Sequence, residues 1–537
     1  MDELETNVLY YGDNLEILRK YIPDDSIDLI YLDPPFNSKA SYNILFKEPT
    51  GELSAAQIKA FSDSWHWDQA AEDTFQDIVL NAPPKVAKLI DAIVGGLGRC
   101  DVTAYLVMMT IRLVELHRVL KDTGSLYLHC DPTASHYLKM VLDQVFGPAN
   151  FRNEIVWQRF NFHADAKRFG RVSDRLLFYK KGADGVFNRL KAPFSEKYIA
   201  SKFTHVDPDG RRFRLSDLNP PGGRGPVYEF YGVTKPWRFT KDKMQKLEAE
   251  GRIYTGSKVA QLKRYLDELP GQAIHELWTD VATINSQAAE RLGYPTQKPQ
   301  ALLERIIKAS SNEGDVVLDP FCGCGTALVA AQKLNRRWIG IDITHLAIAV
   351  MKSRIEESFP GIQFEVIGEP EDVGGAKALA RQDRYQFQWW ALSRVKAKPF
   401  PEERRKGADK GIDGVIDFQD RDEVSGKPAM RRAVVSVKSG HVHVKDIREL
   451  KDIASQHAMG VFITLKPPTR EMTTEAVSAG SYHSPLWDTD YPKIQILTIG
   501  ELLQGKAVDM PSPTSPYAKA PKVSKKEGEQ IVLGGSS

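Results

Sequence analysis

Apolar positions along this chain recur with two periods, and the switches between them lay out alternating strands and helices. "NVLYYGD" has the short apolar run of a strand, "NLEILRKY" repeats its apolar residues at helical spacing, and "SIDLIYL" is the next strand. Residues 46–104 read as a helical insertion. The helix "YLVMMTIRLVELHRVL" leads to the strand "GSLYLHC", the helix "ASHYLKMVLDQVF" and the strands "NEIVWQRF" and "SDRLLFYKK". Between about 182 and 290 the periodicity weakens and Gly, Pro, Arg and aromatic residues take over, as in "RRFRLSDLNPPGGRGPVYEFYG". The alternation then returns with "PQALLERIIKASS", "DVVLDPF", "ALVAAQKL", "RRWIGIDI" and "HLAIAVMKSRIEESF". A Gly/Ala/Glu-rich joint, "GEPEDVGGAKALA", predicts a linker over 366–384. A second, shorter α/β unit spans 385–505, and a Pro-, Ser- and Lys-rich tail over 506–537 is expected to be disordered. Boundaries at 150, 290 and 365 divide the first unit.

A chain of 537 residues with 42% hydrophobic content buries more than one core. Net charge is +2, so contact with nucleic acid has to rest on a local basic patch. Cys100, Cys130, Cys322 and Cys324 are too few and too irregularly spaced for a disulfide scaffold. They point to a reducing, cytoplasmic compartment. The start, "MDELETNVLYYGDN", has no signal-peptide core, and no apolar run has membrane length.

Two stretches carry chemistry. In "SIDLIYLDPPF" (26–36) a buried strand runs into Asp33 and then Pro34 and Pro35, which cannot donate to a ladder and stop any regular element. The carboxyl end of a strand is where open α/β sheets bind ligands. In "VVLDPFCGCGTALVAA" (316–331) a strand, an acid, a Gly-x-Gly turn and a helix of small residues follow one another. Gly323 and Gly325 let the backbone turn sharply beside a ligand. Asp342 closes the next strand, where a carboxylate accepts hydrogen bonds from ribose hydroxyls. Together these residues form a nucleoside-binding unit.

The combination of "DPPF" and "DPFCGCGT" resembles the amino-group DNA methyltransferases that use S-adenosylmethionine. The chain order matches their permuted β class. The resemblance implies a Rossmann-like α/β methyltransferase fold over about 1–360, with a catalytic half over 1–150. A target-recognition region over 151–290 and a cofactor half over 291–365 follow. By the same resemblance Asp13 of "YGDNLEIL" lies near the adenine of the cofactor, and "YPTQKP" supplies Thr296, Gln297 and Lys298. Asp319, Phe321, Gly323, Gly325, Thr326 and Asp342 complete the cofactor site. Asp33 and the Pro34 carbonyl would accept from the target amine, Pro35 would keep that carbonyl rigid, and Phe36 would stack on a base turned out of the duplex. The family's adenine enzymes usually carry an acid where Asp33 stands and many cytosine enzymes carry Ser. N6-adenine is therefore favoured, with N4-cytosine as the alternative. A dinucleotide oxidoreductase shares the glycine loop but leaves "DPPF" unexplained.

The resemblance also implies double-stranded DNA as partner. It admits a homodimer, or further subunits of a restriction-modification or phage-defence system. Basic residues interleaved with aromatics over 159–181 and 222–239 suit phosphate contact, with Arg224 or Arg238 reaching base edges. In the second unit, "KGIDGVIDFQ" followed by "RRAVVSVKSG" resembles the PD-(D/E)xK nucleases, notably their Mrr-like branch. That implies Mg²⁺ on Asp413, with Lys438 beside the attacking water. One position departs: Ser436 stands where the family has Glu or Gln. Asp417 and Glu402 are the nearest acids in sequence to replace it. An active nuclease and a degenerate DNA-binding module both fit.

Overall fold

The apolar runs of the first unit become the strands of one sheet. The computed structural model describes residues 4–35, 41–47, 53–62, 66–160, 169–256, 259–285, 288, 290–292, 294, 296–400, 411–423 and 425–513. The nine strands are β1 (Val8–Tyr11), β2 (Ile27–Leu32), β3 (Leu120–Cys130), β4 (Phe151–Gln158), β5 (Ser173–Lys180), β6 (Leu277–Trp278), β7 (Val316–Asp319), β8 (Arg337–Asp342) and β9 (Glu365–Ile367). Their spatial order is β6-β4-β5-β3-β2-β7-β8-β1-β9. Only β5 runs antiparallel to its neighbours; every other pairing is parallel. Parallel strands are covered on both faces, which is why "IDLIYL" and "VVLD" are apolar throughout.

The helices α1 (Asn14–Tyr21), α2 (Gln69–Asn81), α3 (Pro84–Leu97), α4 (Asp101–Val119), α5 (Ser135–Phe146), α6 (Gln300–Ser310), α7 (Thr326–Lys333) and α8 (His345–Ser358) belong to this layer. Buried residues of α4, among them Tyr105, Leu113 and Leu116, join β2 and β3 in the main core. The expected helical insertion over 46–104 is helical only in part. Ser41–Lys47 and Leu53–Ser62 pair as an antiparallel hairpin before α2 and α3 begin.

The expected linker also folds. Asp372 caps α9 (Val373–Gln382) by accepting from the Gly375 N–H at 2.7 Å, and Ala376 and Leu379 face a second core. Apolar spacing within "GGAKALA" outweighs its glycines. After α10 (Arg384–Arg394) come β10 (Lys398–Pro399), β11 (Gly414–Arg421), β12 (Pro428–Lys438), β13 (Met459–Thr464) and β14 (Ile494–Thr498), paired in that order. The first two pairings are antiparallel and the last two parallel, with α11 (Val444–Ala454) and α12 (Arg470–Val477) as connections. Alternation separates the two faces: Ile416 and Val435 pack with Trp390, while Val415 and Val434 pack with Leu450 and Met472. The start of the expected tail packs as well, since Pro513 bridges Phe418. The rest of the tail lies outside the described residues.

Residues 189–275 form a compact unit of their own. Its four-stranded antiparallel sheet is ordered Ile253–Tyr254, Gln261–Tyr265, Arg212–Ser216, His205–Val206. Its core gathers Leu218, Phe230, Trp237, Met244, Leu247 and Leu262. Among the described residues no helix is long and apolar enough to cross a membrane.

Candidate active site

Four adjacent strands, β2, β7, β8 and β1, deliver an acid each to the carboxyl edge of the main sheet. Asp33 follows β2, Asp319 ends β7, Asp342 ends β8, and Asp13 stands two residues past β1. Parallel register levels them: Asp319 pairs with Gly340, and Tyr11 pairs with Asp342. All four line one cavity with Pro34, Pro35, Thr296, Lys298 and the glycine loop. Chain order 13, 33, 319, 342 becomes spatial order 33, 319, 342, 13.

Asp33 is nearly covered, with its side chain 14% exposed, and Oδ2 accepts from the Lys298 ammonium. Pro34 is buried behind it. Phe36 lies outside the described residues. Asp319 is 3% exposed, and its Oδ1 accepts from the Phe321 N–H at 3.1 Å. Burial, with the Asp33 and Asp342 charges adding to it, holds the Asp319 carboxyl well above the usual range.

The turn of the glycine loop is tied to Asp342. Gly323 N–H donates to Asp342 Oδ2 at 2.9 Å, while Thr344 N–H and its hydroxyl donate to Oδ1, each at 2.9 Å. Gly325 has φ +72°, and a Cβ there would lie 2.8 Å from Met351 Cγ. Glycine is required on both counts. Burial pushes the Asp342 carboxyl up to about 6 against those hydrogen bonds. Thr326 opens α7, and its hydroxyl accepts from Arg354 at 3.0 Å.

Asp13 does two things at once. Oδ1 caps α1 through the Leu15 N–H at 2.7 Å, and Oδ2 accepts from Arg112 at 2.6 Å. Arg112 also donates to Asn14 Oδ1 at 2.6 Å, and Asn14 donates to the Pro320 carbonyl at 2.8 Å. Helix α4 is thereby joined to the floor of the glycine loop. Gln297 uses its amide on its own loop, accepting from Leu292 N–H at 2.8 Å and donating to the Glu290 carbonyl at 2.5 Å. Thr296 and Lys298 on either side face the cavity.

The N6/N4 DNA methylase family matches residues 27–353. The chain belongs to that family. It is 34% identical over 261 residues to the type II methyltransferase M.EcaI of Enterobacter cloacae, covering 47% of this chain and 57% of that protein. It is 53% identical over 353 residues to the type II methyltransferase M.HpaI of Haemophilus parainfluenzae, covering 65% of this chain and 74% of that one. With the DNA adenine methyltransferase YhdJ of Escherichia coli it shares 25% identity over 353 residues, 66% and 83% of the two chains. The chain thus spans little more than half the length of the Enterobacter cloacae enzyme.

Within the methylase region, sequence reasoning missed Asn14, Tyr31, Arg112, Tyr294 and Thr344, all in the cavity wall. Arg112 had left a trace: it is the first cation to interrupt the apolar run "YLVMMTIRLVELHRVL". The second unit lies beyond the family match. Asp413 is 7% exposed, and its Oδ2 accepts from the Val437 N–H at 2.6 Å. Ser436 and Lys438 alternate at the end of β12 and share a face. Asp417 is four residues from Asp413 along its strand, about 13 Å away, and pairs with Arg432 at 2.7 Å. It therefore does not replace the missing acid. Glu402 lies outside the described residues, among which no three His, Cys, Asp or Glu side chains cluster to hold a metal ion.

Proposed function

We propose that this chain transfers the methyl group of S-adenosylmethionine to N6 of adenine in double-stranded DNA. The observation that carries the reading is one cavity lined by Asp33 and Pro34 together with the glycine loop and Asp342. S-adenosylmethionine, when bound, supplies an electrophilic methyl group. A wall of four carboxylates fits a cationic nucleoside, with Asp342 Oδ2 and Thr296 near the ribose and Phe321 along the apolar side. Asp342 Oδ1 accepts two hydrogen bonds and Oδ2 one, from the Gly323 N–H, so Oδ2 is the less engaged oxygen and the one offered to a ribose hydroxyl.

Lys298 holds Asp33 Oδ2, which leaves Oδ1 to accept an N–H of the target amine. The Pro34 carbonyl, fixed by its ring, accepts the other. Both draw the nitrogen toward a tetrahedral geometry and favour the positive charge that develops on it. Phe36 would be the platform for the flipped base. Asp33 and the similarity to a relative named as an adenine enzyme support adenine over cytosine N4. Exposed Arg224 and Arg238 in the unit of residues 189–275 suit contact with DNA.

Modified-base sequencing of DNA from cells expressing the protein tests the reading. N6-methyladenine within one short motif is expected. N4-methylcytosine would give the site to the alternative base, and unmodified DNA would overturn methyl transfer.

For the second unit, the Asp413 carboxylate on the Val437 N–H, one residue before Lys438, supports a nuclease-like form. Ser436 and the engaged Asp417 favour a DNA-binding module over a Mg²⁺-dependent cutter. Incubation with unmodified phage DNA, with and without Mg²⁺, is expected to leave it intact. Cutting lost in Asp413→Ala would restore the nuclease.

A further inference from the structure

A second polar chain runs from the cavity into the sheet. Tyr31 Oη lies 3.0 Å from His129 Nδ1, and His129 Nε2 lies 3.0 Å from Asp174 Oδ2. Arg159 Nε stands 3.3 Å from Asp174 Oδ1. Tyr31, His129 and Asp174 are 2%, 0% and 1% exposed, on the adjacent strands β2, β3 and β5. Trp157 closes over the imidazole edge-on, with ring centroids 5.7 Å apart. Burying three polar side chains inside an apolar sheet carries a desolvation cost that packed aliphatic residues would avoid. Tyr31 is two residues before Asp33, and both line the cavity.

The protons in this chain have a direction. Burial works to raise the Asp174 carboxyl, but the hydrogen bond with His129 and the neighbouring Arg159 and Lys298 charges bring it below the usual range. An ionised Asp174 only accepts, so His129 Nε2 carries a hydrogen. In the tautomer with its hydrogen on Nε2, Nδ1 is an acceptor 3.0 Å from Tyr31 Oη. Tyr31 therefore donates its phenolic hydrogen to Nδ1, and the lone pairs of its oxygen stay free to accept. Burial, then the charges of Asp33, Asp319 and Asp174, keeps this phenol from ionising.

We propose that Tyr31 is the proton acceptor of the transfer reaction, with His129 and Asp174 as positioning residues behind it. The inference rests on the methyl-transfer reading above. After the amine nitrogen bonds the methyl carbon, and the sulfur keeps the electron pair of the broken S–C bond, the nitrogen carries a positive charge and two hydrogens. One N–H bond breaks with its electrons staying on nitrogen. That proton bonds Tyr31 Oη while the phenolic proton passes to His129 Nδ1. Tyr31 ends neutral, and the new imidazolium faces the Asp174 carboxylate. A proton on Asp33 would instead break the pairing with Lys298.

The test uses the full-length protein and its Tyr31→Phe and His129→Gln variants. Tyr31→Phe keeps the ring and is expected to lower kcat about 100-fold, within the range of a lost general base, while the Kd for S-adenosylmethionine stays unchanged. ¹⁵N-histidine NMR without cofactor or DNA supplies a readout apart from activity, with the His129 signals assigned by their loss in His129→Gln. The Nε2–H tautomer is expected, with the Nδ1 resonance shifting in Tyr31→Phe as its donor disappears. Undiminished kcat in Tyr31→Phe, or an Nδ1–H tautomer, would overturn the relay. No transfer by the unmodified protein would instead overturn the methyl-transfer reading beneath it.

Discussion

Lys298, 265 positions beyond Asp33, donates its ammonium to the Asp33 carboxylate. Two segments at opposite ends of the methylase region thus meet in one ion pair. Each side chain is less than 15% exposed, 11% for Lys298 and 14% for Asp33, so solvent screens the pair little. Lys298→Met leaves Asp33 beside Asp319 with no counter-charge. Transfer by the variant is expected to fall at least tenfold, because the carboxylate loses the partner that orients it. Labelled-methyl assays check this, and an unchanged kcat would remove Lys298 from that role.

Asp33→Ala separates chemistry from binding. The amine loses its charged acceptor, whereas the glycine loop and Asp342 are untouched. Labelled-methyl transfer is expected to fall at least 100-fold, the scale of a lost transition-state hydrogen-bonding group. Isothermal titration with S-adenosylmethionine should give nearly the original Kd. Near-normal transfer would return Asp33 to the status of a strand terminator.

Asp342 gives two pH effects of opposite sign. Its carboxyl sits at about 6 in the folded protein, above the ordinary 3.8, so between those values the folded state binds more protons than the unfolded one. This contribution to stability is complete below about pH 3.8 and is lost as pH rises through 6. Ribose hydroxyls favour the ionised form, so cofactor affinity should fall as pH drops below about 6. Thermal unfolding and titration at pH 5 and pH 7 measure both. Asp342→Asn should flatten both dependences, and an affinity independent of pH in the unmodified protein would contradict the ribose role.

Helix α10 ties the second unit to the start of α8 and to the glycine loop. Gln386 Oε1 accepts the His345 N–H at the start of α8 at 2.9 Å, and Trp389 packs beside Tyr294 and Cys324. Gln386→Ala should cost roughly 1 kcal/mol, as for a lost helix cap. Trp389→Ala should cost less than the roughly 3–5 kcal/mol of a fully buried aromatic, and it should also weaken cofactor binding. Denaturant unfolding with parallel titration decides it; loss of stability with unchanged affinity would confine Trp389 to packing.

The alternation of strand and helix, the stops after Asp33 and the glycine turn before α7 were legible because they are local. Apolar period, proline and glycine act within a few residues of themselves. The same holds for Asp342, which closes an apolar run that can only be a buried strand. The order of the four acids along the sheet edge was not local: it follows from β2 lying beside β7 and β8 beside β1, pairings between segments hundreds of residues apart. The partner of Lys298 was decided the same way, as were the Asp13–Arg112–Asn14 links. His129 and Asp174 became partners only when β3 and β5 paired and brought them together. Even α9, within a stretch that reads as a linker, depends on the second core to hold Ala376 and Leu379. Local patterning selects the elements, but side-chain partners are chosen by which strands pair, and that is settled only when the whole sheet buries its two faces.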